Sequence, residues 1–270
     1  MSTAQIKNSF NSIGEVDVSI SPSTLILKLS VTKHAIRYFV LWQTHRQIIF
    51  FGDYTLHHIT NSDELVTAMD KIFNKDEVLK LSFSKVVIGF NEPYSLVPSE
   101  LFDLINKAGK ISNRFTETDI VFDDSQITNG LRKFFNNPEL LHINSTYLNL
   151  LPEYLNETPE KLFVNISKNH IDVIRFNDQK KLHLMNRYDY QAESDFIYFV
   201  LLCCDELKID REKVELVLMG EVDIQSKIYN ISYRYFSTIS FIKMPDNLYF
   251  SKAFETFPKH LHFNLYNLGA

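Results

Sequence analysis

One phrase occurs twice in this chain, and the repetition limits what it can fold into. LILKLSVTKHAIRYFV spans Leu25 to Val40, and LFVNISKNHIDVIRF spans Leu162 to Phe176, about 136 residues later. Each reads as two short strands around a polar turn, because β-branched and aromatic residues dominate on both sides of the break. The surroundings repeat as well. In the first half TLILKLS, AIRYFVLW and QIIFFGDY predict a three-strand meander. Asn61 then caps a helix over SDELVTAMDKIF, whose Leu65, Met69 and Ile72 fall on one stripe, and SKVVIGFN follows as a strand without alternation, hence buried on both faces. In the second half KLFVNIS, IDVIRF and KLHLMNRYDY form the meander, AESDFIYFVLLCCDELKI the helix and VELVLMG the buried strand. Glu193, Ser194 and Asp195 sit near that helix's start, where negative charge suits the dipole. Asp53-Tyr54 matches Asp189-Tyr190, and His34 matches His170, when the halves are laid side by side.

The fold class is therefore α/β with mixed sheets, built as two β-β-β-α-β halves with further elements after each. Pro138, Pro152 and Pro159 punctuate the stretch between them, which places the division near Glu157, giving 1–157 and 158–270. The supply of 22 Phe and 13 Tyr supports a sizeable core. A net charge of −5 and the absence of a dense Lys/Arg block argue against nucleic acid as a partner. The longest apolar run, Phe196 to Cys204, is far short of the ~20 residues a membrane helix needs. MSTAQIKNSFNSIGEVD lacks the features of a secretory leader, so a cytoplasmic location without membrane insertion is expected. Cys203 and Cys204 are adjacent and lie in an apolar run, which predicts buried thiols and not a C-x-x-C pair.

A duplicated β-β-β-α-β unit is the plan of the actin-like ATPase, or ribonuclease-H-like, fold, in which the two halves flank a cleft. The chain also resembles a bacterial family of unknown function assigned to that fold. The resemblance rests on NRYDYQAESDFIYFVLL (Asn186 to Leu202), EPYSLVPSELF (Glu92 to Phe102) and MPDNLYFSKAFETFPKHLHFNLYN (Met244 to Asn267), and extends from Thr24 to Asn267. More distantly, the plan is similar to actin-like subunits of pilus and secretion machines, several of which act as assembly scaffolds.

In working members of that superfamily each half donates a phosphate hairpin. An Asp at the end of the first strand organises Mg²⁺ and the attacking water, and a nearby Gly lets backbone N–H groups approach phosphate. Laid on that pattern, the first hairpin has Lys28 in place of the Asp and Ser30 in place of the Gly; the second has Asn165 and Ser167. At the adenosine turn Gly220 remains, but Glu221 replaces the second glycine. Lys33 and Lys168 lie in the two turns and carry the positive charge there. These eight positions are the ligand-binding candidates that the resemblance implies. Seven glycines in 270 residues leave few for phosphate loops.

Metal and positioned groups supply most of the stabilisation in phosphoryl transfer, and losing one typically costs 10²–10³ in rate. Losing both hairpin acids predicts a protein without catalytic residues. The expected function is a non-catalytic actin-like-fold protein that binds or scaffolds a protein partner or a small ligand, with no cofactor. The alternative is an atypical nucleotide-binding protein with weak ATPase or sugar-kinase-like phosphotransferase activity, for which ATP with Mg²⁺ is disfavoured by the same losses. The base rate among homo-oligomers points to a two-fold dimer. No metal site is expected. His260 and His262 would share one face if KHLHFNL were a strand, but no third ligand accompanies them. His57-His58 is weaker still, and Asp123-Asp124 reads as a loop before a helix. Neither G-x-S-x-G nor a Walker loop occurs.

Overall fold

The computed structural model describes residues 9–17, 19–91, 93–101, 111–114, 118–122, 125–156 and 160–269. The chain divides into two compact units. The first comprises residues 1–147, 246–257 and 264–270, and the second 148–245 and 258–263. The division expected near Glu157 falls on residues 157–159, outside the described residues. Two later stretches that the sequence reading gave to the second half, 246–257 and 264–270, cluster with the first unit instead.

The first unit opens with β1 (Ser9–Gly14), followed by the meander β2 (Leu25–Val31), β3 (Ala35–Trp42) and β4 (Gln47–Thr55). Helix α1 (Ser62–Phe73) is capped by Asn61, whose side chain accepts from Glu64 N at 2.9 Å. Its Leu65, Met69 and Ile72 are buried, as their spacing requires. Strand β5 (Lys85–Phe90) follows, then a separate antiparallel sheet of β6 (Ser95–Pro98), β7 (Ile111–Arg114) and β8 (Thr118–Phe122) in the order β6-β8-β7. Next come α2 (Ser125–Leu131), β9 (Glu139–His142) and α3 (Ser145–Leu150), whose last three residues belong to the second unit. Asp123-Asp124 lies outside the described residues.

The second unit has the meander β10 (Lys161–Ile166), β11 (His170–Phe176) and β12 (Leu182–Asp189), then α4 (Glu193–Glu206), β13 (Glu215–Gly220), α5 (Lys227–Ser232) and β14 (Thr238–Phe241). Ala192 has no side-chain acceptor for the start of α4. Asp195 satisfies that end from within the helix, accepting from Gln191 N at 3.1 Å and Ala192 N at 3.0 Å. Leu162, Val164 and Ile166 of β10 share one buried core cluster with Phe196, Val200 and Cys204 of α4. Cys203 and Cys204 are buried and free, as their setting predicts, and burial pushes the Cys204 thiol up to about 12.

Two short elements complete the chain, β15 (Tyr249–Phe250) and α6 (Phe263–Tyr266). Strand β15 pairs with β4 of the first unit.

The two main sheets repeat one topology. The first runs β4-β3-β2-β5-β9 with β1 and β15 added on the outer edge of β4, and the second runs β12-β11-β10-β13-β14. In each, the three meander strands are antiparallel and the next two pair parallel to the first.

Candidate functional site: the two hairpin turns

The ladders fix which residues correspond. Val31↔Ile36 closes the first hairpin and Ile166↔Ile171 the second. Each turn is then bridged the same way, by Thr32 N to Ala35 O at 2.9 Å and Ser167 N to His170 O at 2.9 Å. Ser30 therefore corresponds to Asn165, Lys28 to Phe163, and Thr32 to Ser167. This corrects the side-by-side reading, which matched Lys28 with Asn165 and Ser30 with Ser167. The third strands correct in the same sense: Tyr54 and Tyr188 are equivalent, because each pairs with the second residue of its partner strand. His34 corresponds to Asn169, not to His170. On the strands the slip is two residues, which leaves every side chain on its proper face, so hydrophobic alternation could not reveal it; in the turn it is one residue.

In the first hairpin the amides of Thr32, His34 and Ala35 are engaged within the turn. Thr32 Oγ1 accepts from His34 N at 3.2 Å and Ala35 N at 3.0 Å. A phosphate hairpin needs such N–H groups pointed at a ligand. Lys33, in the same turn, is exposed. Ser30 and Lys28 are buried on β2. The Lys28 ammonium donates to Tyr266 O at 2.7 Å, at the end of α6, where a cation suits the helix terminus. Burial, helped by the positive charges of Lys85 and Arg46, brings the Lys28 amine down to about 7. The tail that carries Tyr266 covers this sheet face. The Tyr266 ring packs tilted against Phe39 with ring centres 4.1 Å apart, and a Cβ on Gly89 would stand 2.9 Å from Leu268.

In the second hairpin Asn165 is buried and donates to Asp172 Oδ2 at 3.3 Å. Asp172 is fully buried and held by Arg187 through Nε at 2.8 Å and Nη2 at 3.2 Å. Ser167 lends its carbonyl to Tyr190 Oη at 2.9 Å, and Lys168 is exposed in the turn. Gly220 ends β13 beside this hairpin with φ +85°, and a Cβ there would sit 2.1 Å from Ile166 O and 2.7 Å from Asn165 Oδ1. Close backbone packing alone thus demands glycine at this place. Glu221 is exposed, and its N–H donates to Ile166 O at 2.7 Å. The eight candidates therefore form two groups: Lys28, Ser30 and Lys33 on the first hairpin, and Asn165, Ser167, Lys168, Gly220 and Glu221 around the second. None of them lines the groove of about 840 Å³ in the first unit, whose walls include Asp17, Trp42, Gln47 and Lys252.

A family model described as "Protein of unknown function (DUF3822)" matches residues 19–121 and 113–239. The chain belongs to the DUF3822 family. No curated protein matches this DUF3822 sequence significantly. A solved structure from Bacteroides thetaiotaomicron, a protein with an actin-like ATPase fold and unknown function, superposes with a TM-score of 0.72 at 15% identity, covering 85% of this chain and 94% of that one. A chain of the PilM–PilN type IV pilus biogenesis complex superposes with a TM-score of 0.52 at 8% identity, covering 90% and 97%. The DUF3822 chain thus has the actin-like ATPase fold.

Sequence reasoning missed three groups that shape the hairpins: Thr32, the Asp172–Arg187 pair and the Tyr266 tail. Opposite charges inside the strand segments IDVIRF and HLMNRYDY, Asp172 in one and Arg187 in the other, were the signal for the second. His260 and His262 lie on a 3₁₀ turn, Lys259–His262, and not on the strand that would have aligned them. His260 Nε2 is 2.6 Å from Val222 O, and its ring stacks on Phe241 at 4.3 Å. Among the described residues no group of three or more His, Cys, Asp or Glu is placed to hold a metal ion. No helix among them is long and apolar enough to cross a membrane.

Proposed function

We propose that this DUF3822 protein is a non-catalytic member of the actin-like fold that acts in the cytoplasm by binding or scaffolding another protein or a small ligand. The observation that carries this reading is the state of the hairpins. Polar groups of both hairpins are taken up by internal bonds: Thr32 Oγ1 holds two turn amides, and Asp172 is held by Arg187 and Asn165. A carboxylate neutralised by a guanidinium and an amide has little left to offer a divalent cation. The residues present therefore do not fit Mg·ATP, and no reaction step is assigned to it. PilM, whose fold this chain shares, occurs in a complex with PilN, and a protein partner here is in keeping with that.

A thermal-shift titration with millimolar Mg·ATP and other nucleotides tests the reading. A ligand at 100 times its Kd adds about 2.7 kcal/mol, which in a chain of this size raises Tm by about 5–10 °C. The expected result is no rise. A Mg²⁺-dependent rise of that size would overturn the proposal in favour of an atypical nucleotide-binding protein with weak ATPase or sugar-kinase-like phosphotransferase activity.

A further inference from the structure

The outer edge of the first meander is paired by further strands, and among the described residues the equivalent edge of the second is not. On β4, strand β1 pairs antiparallel from Ser9↔Thr55 to Gly14↔Phe50, and Phe10 stacks on Tyr54 with ring centres 4.3 Å apart. On β12 no strand pairs with the outer edge among the described residues. An open edge is a template for another strand.

The phase of the exposed edge follows from the ladder inside it. Tyr190 donates to Asn169 O at 3.0 Å, which makes His170↔Asp189 a wide pair. Tyr188 and Asn186 then direct their backbone groups at β11, while Arg187 and Met185 turn theirs outward. At the start of the strand Arg175 pairs with Leu184 and Phe176 with Leu182, so His183 is bulged and blunts that end. The regular stretch left is 184–188, centred on Asn186. Leu184, Asn186 and Tyr188 face one side and line a groove of about 310 Å³ against Leu202 and Cys203 of α4. The apolar surface continues outward through ring contacts, from Tyr188 stacked on Phe199 at 4.7 Å and on, edge to face, to Tyr198, which is 59% exposed.

We propose that β12 is a homodimer edge, pairing antiparallel with β12 of a second copy about a two-fold axis at Asn186. The occupant follows from the stretch itself, which complements its own reverse. Leu184 meets Tyr188 of the second copy on the groove face, Met185 meets Arg187, and Asn186 meets Asn186. A two-fold normal to the sheet keeps each face on its own side, which requires such an even register. The outward backbone groups of Met185 and Arg187 then pair in both directions. Leu184 of the second copy takes the place beside Tyr188 that Phe10 takes beside Tyr54, in the same close, non-hydrogen-bonded kind of pair. The inference rests on strand register and not on the state of the hairpins, so nucleotide binding would leave it standing.

Sedimentation and light scattering on the full chain should give twice 31.6 kDa. Asn186→Lys places like charges opposite each other at the axis, on a side chain that is exposed in the single chain. It should weaken the dimer at least about a hundredfold and leave the circular dichroism unchanged. Asn186→Cys should form an intermolecular disulfide under mild oxidation, since facing Cα atoms at a wide pair are about 4.5 Å apart. His183→Cys, facing its own copy across about 20 Å of strand, should not. A monomer at all concentrations would overturn the proposal and leave the edge for a strand of a different protein. A dimer that survives Asn186→Lys, or that crosslinks equally through both cysteines, would overturn it too.

Discussion

The two units solve one topology with opposite local choices. At the same cross-strand position, the first unit places Arg37 against Asp53 and the second places Asp172 against Arg187. The polarity is reversed, and so is the depth. The Asp172 side chain is fully buried, whereas those of Arg37 and Asp53 keep 32% and 19% of their exposure. The first unit also buries an acid that the second leaves in solvent. Asp76 accepts from Tyr38 Oη at 2.5 Å and Tyr54 Oη at 2.7 Å, and burial with that acid raises both phenols above their ordinary value. Asp210, in the corresponding turn after α4, is half exposed and pairs with Lys213. Fold identity therefore constrains the position of a charged pair but not its sign. Coulomb attraction is symmetric, and a strand backbone accepts either residue.

The comparison can be broken at several points. The largest effect is expected at Gly220, whose first-unit counterpart by register is the fully buried Phe90. Gly220→Val meets a backbone oxygen and a positive φ together. Chemical denaturation should register a loss of at least about 4 kcal/mol, or no folded second unit at all. Next comes the buried pair. Asp172→Ala strands a guanidinium and should cost about 3–5 kcal/mol, whereas Asp53→Ala in the half-exposed pair should cost about 1 kcal/mol, both read as shifts in denaturation midpoint. Equal losses would show that depth does not separate the two units.

Lys28 belongs to the first unit alone, because Phe163 stands at the corresponding place in the second. Its folded amine is held down to about 7, so between pH 7 and the ordinary lysine range the unfolded chain binds the extra proton. Stability should therefore rise with pH across that window, by about 2 kcal/mol between pH 7 and 9. Lys28→Met should remove that slope; denaturation at the two pH values measures it, and an unchanged slope would assign it to other groups. The smallest effect concerns the helix starts. Asn61→Ala should cost about 1 kcal/mol at α1, and Ala192→Asn should gain some part of that at α4, where the side-chain cap is missing. Thermal melts of the two variants would sharpen the comparison by showing whether the two caps are interchangeable.

The meanders, both main helices and the buried strands β5 and β13 were legible because each is a local pattern: period 2, period 3.6, or an unbroken apolar run between polar breaks. The hairpin turns were legible as turns. The sheet β6-β8-β7 was not, since four- and five-residue strands carry too little periodicity to separate from loops. Strand β15, with two residues, carries none.

The sequence by itself determined the repeated order of elements, the faces that would be buried and the absence of Asp from β2 and β10, because side-chain chemistry and spacing encode these within a few turns of chain. Tertiary structure alone decided what fills the resulting spaces. Lys28 meets Tyr266 across 238 residues, and β15 returns to β4 from the far end of the chain. Strand register sets Asp172 opposite Arg187 and Gly220 beside Ile166. Such contacts depend on distance in space, and a chain read in order carries no measure of it.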